Sequence, residues 1–127
     1  MSNTRPWRVL LVDDQVLLAK VIAALLGSEG MKVDIAENGS VAIGMLRADT
    51  YDLVITDLMM PEMDGIQLLE WIRLEAAMNV PVIALSANTD TSYTQRLKEL
   101  GVLAVLKKPL DIDHFAGTVT GLMNGNA

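Results

Sequence analysis

The chain has 127 residues, 51% of them hydrophobic and 20% charged, which suits one domain with its own core and argues against disorder. Ten basic residues against sixteen acidic give a net charge of −6, disfavouring direct binding to nucleic acid or to a membrane surface, since both need clustered positive charge. The absence of cysteine excludes disulfides, thiolate metal sites and thiol catalysis together.

Met1 to Arg8 is polar, and the apolar run Val9 to Val12 is cut off by Asp13 and Asp14. No export signal and no membrane span are expected, and a soluble cytoplasmic setting is. Val9–Val12 reads as a strand buried on both faces. The spacing then turns helical, with Leu17, Leu18, Val21, Ile22, Leu25 and Leu26 as its stripe and Gly27 and Gly30 as its stop. Lys32 to Ala36 suits a second strand, and Asn38-Gly39 leads into a short helix carrying Val41, Ala42, Met45 and Leu46.

The alternation repeats. Asp52 to Thr56 is a third buried strand ending at Asp57; Pro61 and Asp64-Gly65 open a helix with Ile66, Leu69, Ile72 and Arg73. Val80 to Leu85 is a fourth strand, Ser92 to Leu100 a polar helix, and Leu103 to Leu106 a fifth strand. Asp111 is expected to cap a last helix reaching about Met123, weakened by Gly117 and Gly121. Five strands alternating with five helices predict one α/β domain over 1–127, a doubly wound parallel sheet.

Ligands of such sheets bind beyond the carboxyl ends of the strands, where the strand order reverses. With the order 2-1-3-4-5, Asp13 and Asp14 after the first strand and Asp57 after the third share one crevice. At an effective dielectric near 20, two like charges about 4 Å apart repel by roughly 4 kcal/mol. A hard dication relieves this, and Mg²⁺ suits few carboxylates, retained waters and a phosphate better than Ca²⁺ does. Taken singly, Asp13 or Asp14 could be only a helix cap, and Asp57 only a turn residue. Ser86 with the small Ala87, and Lys107-Lys108-Pro109, close the crevice with donors for an anionic oxygen. The Lys108–Pro109 bond is a candidate for cis, which costs an X–Pro bond only about 0.5–1 kcal/mol.

Val9-Leu10-Leu11-Val12-Asp13-Asp14, Asp57-Leu58-Met59-Met60-Pro61-Glu62-Met63-Asp64-Gly65, Ser86-Ala87 and Lys108-Pro109, in this order and spacing, resemble the response-regulator receiver domain, a flavodoxin-like module also found as chemotaxis-type single-domain regulators. The resemblance spans about Arg8 to Met123. It implies that Asp57 is the phosphoacceptor, and that Mg²⁺ is held by Asp14 directly, by Asp13 mainly through water, by Asp57 and by the backbone carbonyl of Met59. It further implies that Lys108 pairs with the phosphoryl group, that Ser86 hydrogen-bonds a phosphate oxygen as the switch hydroxyl, and that Ala87 leaves the acyl phosphate accessible. Met59 and Asn88 fall where phosphoryl lifetime is tuned. The family's aromatic three residues before the lysine is replaced by Val105, so the usual surface readout is missing.

The implied activity is self-catalysed phosphorylation and dephosphorylation, not metabolic turnover. The implied partners are a sensor histidine kinase or histidine phosphotransfer protein and a downstream protein docking on the fourth helix, fifth strand and fifth helix, with a homodimer as a further option. Three rivals differ in class. A pseudo-receiver would bind partners without phosphate. A Mg²⁺-dependent aspartyl-phosphate phosphohydrolase would want an acid where Met59 stands. A flavodoxin-like nucleotide binder would want a Gly- or Ser/Thr-rich loop where Asp13-Asp14-Gln15 stands. His114 reads as a solvated helix-start residue, and the methionines as core and crevice filling.

Overall fold

The computed structural model describes residues 5–60, 63–87 and 94–125. The strands are β1 (Arg8–Val12), β2 (Lys32–Ala36), β3 (Leu53–Asp57), β4 (Val82–Ser86) and β5 (Ala104–Lys107); the helices are α1 (Val16–Gly27), α2 (Gly39–Ala48), α3 (Gly65–Glu70), α4 (Thr94–Glu99) and α5 (Phe115–Met123). All strand pairs are parallel, in the order β2-β1-β3-β4-β5, as the alternation predicts. Pro61 and Asn88 lie outside the described residues, as does the expected start of the fourth helix at Ser92.

The period of two along the strands divides the core. Val9, Leu11, Leu53, Ile55, Ile83 and Leu85 pack under α1 and α5 against Ile22, Leu26, Phe115 and Val119. Leu10, Val12, Val54, Val82 and Ala84 face α2, α3 and α4, meeting Leu46, Leu68, Leu69, Ile72 and Leu97. β4 starts only at Val82, since Pro81 has no N–H to offer the ladder.

The expected stripe of α1 is only half buried. Ile22 and Leu26 are fully inside, but Leu17 is 80% exposed, with Val16 and Val21 also open to solvent. Ala19 takes the inward place at the helix start, which turns Leu17 outward. We expect Ile22→Ala to cost about 2–5 kcal/mol and Leu17→Ala no more than about 0.5 in urea unfolding, a contrast apolar spacing alone does not predict.

α2 begins as read, with the Asn38 side chain accepting from Val41 N–H at 2.9 Å. α3 begins with a capping box: Asp64 accepts from Gln67 N–H at 2.9 Å, and Gln67 accepts from Asp64 N–H at 3.0 Å. After Glu70 the helix widens into a π turn over Trp71–Glu75, where Ala76 N–H reaches Trp71 carbonyl at 2.9 Å. Half-buried Trp71 carries the Arg47 guanidinium 5.6 Å from its ring.

Arg73, within this turn, is not a surface charge. Its guanidinium donates to four carbonyls: Leu100 at 2.7 Å, Val80 at 2.8 Å, Met78 at 2.9 Å and Gly101 at 3.3 Å. Burial pushes its pKa below the usual arginine value. In the other direction Arg96 of α4 donates to Glu70 of α3 at 2.8 Å. The two arginines clamp α3 and α4 together.

The last helix corrects an expectation. α5 starts at Phe115, and Asp111 does not cap it. Residues Ile112–His114 form a turn instead, and the exposed Asp111 carboxylate takes His114 Nδ1 at 2.8 Å. That hydrogen bond raises the His114 pKa above its ordinary 6.5. Protonation of the pair therefore favours the folded state fully below about 6.5, and the benefit fades as pH climbs through the raised folded value. In an NMR titration the His114 ring should titrate above 6.5 and fall back in Asp111→Asn.

Candidate functional site

The strand register builds the site. Val12 is level with Thr56 and Asp57 with Leu85, so Asp13 and Asp57 emerge side by side at the carboxyl end of the sheet, with Ser86 one step further on β4. Asp13, Asp14 and Asp57 each bring a carboxylate oxygen within 4.8 Å of the others. Asp13 is fully buried and Asp57 nearly so, while Asp14 faces solvent at the mouth. The convergence predicted from the order of strands is present.

Main-chain donors fix the inner pair. Asp13 Oδ1 accepts from Gln15 N–H at 2.9 Å, and Asp57 Oδ1 accepts from Met59 N–H at 3.1 Å. Lys108 Nζ reaches Asp57 Oδ2 at 2.8 Å and Asp13 Oδ2 at 3.5 Å. Lys108 N–H on Ser86 carbonyl at 2.9 Å ties the β4 and β5 ends together, and the Lys108–Pro109 peptide that follows is cis. Ser86 is buried beside this bond; Ala87 is exposed.

The charge distribution is lopsided. At the amino ends of the strands Asp52, Asp34 and Asp49 meet Arg5 or Arg8 at 2.7, 3.4 and 3.0 Å. At the carboxyl ends three acids cluster and two of them, Asp13 and Asp57, share Lys108, the one cation paired with them among the described residues. Burial, reinforced by the Asp57 charge, raises the Asp13 pKa despite Gln15 N–H and Lys108. Burial works against the Lys108 ammonium, yet its hydrogen bond to Asp57 and the charges of both acids outweigh that and raise its pKa. Two buried acids and an exposed third beside one ammonium leave net negative charge that a cation would neutralise.

The model of the response regulator receiver domain family matches residues 9–120. The chain belongs to that family. The receiver is 33% identical over 120 residues to the Escherichia coli sensor histidine kinase RcsC, covering 94% of this chain and 12% of RcsC. It is 39% identical over 109 residues to the E. coli transcriptional regulatory protein GlrR, covering 86% of this chain and 24% of GlrR. The receiver domain of Francisella response regulator 1452 superposes with a TM-score of 0.84 at 31% identity, over 95% of this chain and 99% of that one.

The receiver thus spans only part of these two relatives, one a sensor kinase and one a transcriptional regulator, and about half of others. These relatives do not exemplify the chemotaxis-type single-domain form. Membership places the chain in two-component signalling, a family whose domains are phosphorylated on an aspartate and generally bind Mg²⁺ through an acidic cluster. No helix among the described residues is long and apolar enough to cross a membrane.

Three features escape a reading of the sequence, two at this receiver's site and one at the opposite end of the sheet. The Thr56 hydroxyl donates to the Asp57 carbonyl at 3.0 Å. Gly65 lies against that same carbonyl. Arg73 secures the far end of α4. Only Gly65 carried a signal, because glycine at the first position of a helix forgoes propensity without need of a turn.

Proposed function

We propose that this receiver accepts a phosphoryl group on Asp57 from the phosphohistidine of a sensor histidine kinase or histidine phosphotransfer protein. The observation that carries the reading is the meeting of Asp13, Asp14, Asp57 and Lys108 at one end of the sheet. Asp57 Oδ attacks phosphorus in line, the P–N bond breaks, and the imidazole leaves with its electron pair. Phosphoryl transfer asks for little beyond a placed nucleophile, charge neutralisation and donors around the equatorial oxygens. Lys108 Nζ, now on Asp57 Oδ2, serves as one donor to the incoming group, and the Ser86 hydroxyl as the second.

The three carboxylates and the Met59 carbonyl would hold Mg²⁺. The donor set fits, being all oxygen, overcharged for one lysine and open to solvent through Asp14. When bound, the ion supplies neutralisation of the acids and of the phosphoryl oxygens. The exposed Ala87 leaves room for a donor side chain and for the water that hydrolyses the domain's own acyl phosphate. Met59 offers no second acid, and its half-exposed thioether leaves a phosphohydrolase without a general acid.

Added charge of about −1.5 to −2 at Asp57 draws the Ser86 end of β4 toward it, biasing a two-state equilibrium. Downstream, the face of α4, β5 and α5 is the docking surface for the target or for a second copy. There Val105 is 43% exposed, a small apolar side chain in place of a mobile ring. The test is intact-mass spectrometry of the protein with a small acyl-phosphate donor. One phosphoryl group should appear with Mg²⁺ and not in chelator. No uptake under either condition favours a pseudo-receiver, and steady hydrolysis of an added phosphomonoester favours the hydrolase.

A further inference from the structure

Gly65 opens α3 with ordinary right-handed backbone, so no turn demands a glycine there. Helix propensity alone would favour alanine. Yet a Cβ at this position would stand 2.4 Å from the Asp57 carbonyl oxygen and 2.8 Å from Leu58 Cα, both main-chain atoms. Neither can turn aside as a side chain would. The Asp57 carbonyl is also held by the Thr56 hydroxyl at 3.0 Å, and Gly65 N–H is bonded to Leu58 carbonyl at 3.1 Å. Leu58 N–H is in turn bonded to Leu85 carbonyl at 3.0 Å. The start of α3 is therefore pressed onto the backbone that carries the acceptor aspartate and, two residues on, Met59.

We propose that Gly65 is a positioning residue for the phosphoryl site, its missing side chain letting α3 hold the main chain of Asp57–Met59 where the carboxylate and the Met59 carbonyl meet one cation. The proposal rests on the receiver reading above. Other helical glycines differ: at Gly39, which opens α2, a Cβ would meet the movable Met63 side chain, 2.6 Å from Sδ, and at Gly44 in α2 and Gly117 in α5 it would meet nothing within 4 Å. A shift of even 1 Å in a reacting group costs about a hundredfold, and a disturbed support costs about 10–100-fold in metal affinity or activity.

The experiment compares the full chain with Gly65→Ala, Gly44→Ala and Gly117→Ala. Backbone amide NMR without metal should show Gly65→Ala displacing Asp57–Met59, while the two controls leave them in place. Mg²⁺ titration followed on those amides should give a dissociation constant raised about fivefold or more, with phosphoryl uptake slowed about tenfold or more and partly restored by excess Mg²⁺. Unmoved amides, or affinity and uptake within about twofold of the parent, overturn the proposal. A parent that neither binds Mg²⁺ nor takes up phosphate sinks the receiver reading instead, and the metal-free amide shifts still decide on Gly65. If Gly65→Ala does not fold, Gln67→Ala decides. It loosens the exposed capping box that sets the same helix start, and should weaken Mg²⁺ about two- to threefold. An unchanged constant there overturns the proposal.

Discussion

Asp57→Asn is expected to lose phosphoryl uptake from a small acyl-phosphate donor by on the order of a thousandfold or more, leaving a folded protein. The amide keeps the size of the carboxylate and can still accept from Met59 N–H, so the loop after β3 retains its anchor. It lacks the charged oxygen that attacks. The substitution would also leave Lys108 with Asp13 as its one remaining carboxylate, at the longer of its two contacts. Removing one of three mutually repelling acids lowers the need for a counterion. Mg²⁺ should raise the melting temperature of the parent by simple linkage and that of the variant much less. Mass spectrometry and a thermal melt with and without Mg²⁺ read both effects. Undiminished uptake would move the acceptor elsewhere, with the Ser86 hydroxyl the nearest candidate to check by peptide mapping.

Arg73→Ala should be the most destabilising single change outside the apolar core, about 3–5 kcal/mol. The guanidinium serves four carbonyls and meets no carboxylate among the described residues, so its compensation comes from peptide dipoles. Two of those carbonyls, Leu100 and Gly101, end α4, where the negative end of the helix dipole favours a cation. Truncation leaves several acceptors unpaired in a half-buried place. For a domain of this size about 3 kcal/mol corresponds to a fall of roughly 10–15 °C in melting temperature. Arg73→Lys should recover only part of it, since one ammonium cannot span acceptors from two segments. A loss below about 1 kcal/mol would mean that water replaces the guanidinium, and that α4 does not depend on the clamp.

The legible part of the molecule is the part set by local forces. The strands and the order 2-1-3-4-5 come from unbroken apolar runs alternating with helical spacing, and the acid cluster then comes from topology, since every βα loop ends at the same side. The α1 stripe failed in part because apolar spacing cannot say that Ala19, not Leu17, faces the sheet. Asp111 failed as the α5 cap because a turn over Ile112–His114 separates it from the helix start at Phe115. Arg73 was unreadable because its partners are main-chain carbonyls supplied by two other segments. The role of Gly65 depends on a backbone-to-backbone distance, at which a helix-opening glycine that no turn requires only hints.

The π turn over Trp71–Glu75 has an implication for comparing relatives. It holds one residue more than an α-helix of the same rise, and each such surplus rotates the downstream chain by about 100°. A sibling one residue shorter in this stretch would run as an uninterrupted spiral, re-aiming Met78 and Val80 relative to the guanidinium that grips them here. Indels are commonly harmless in surface connections. In this place they would act as a phase shift, sorting the lineage into members that anchor α4 from below and members that must hold it some other way.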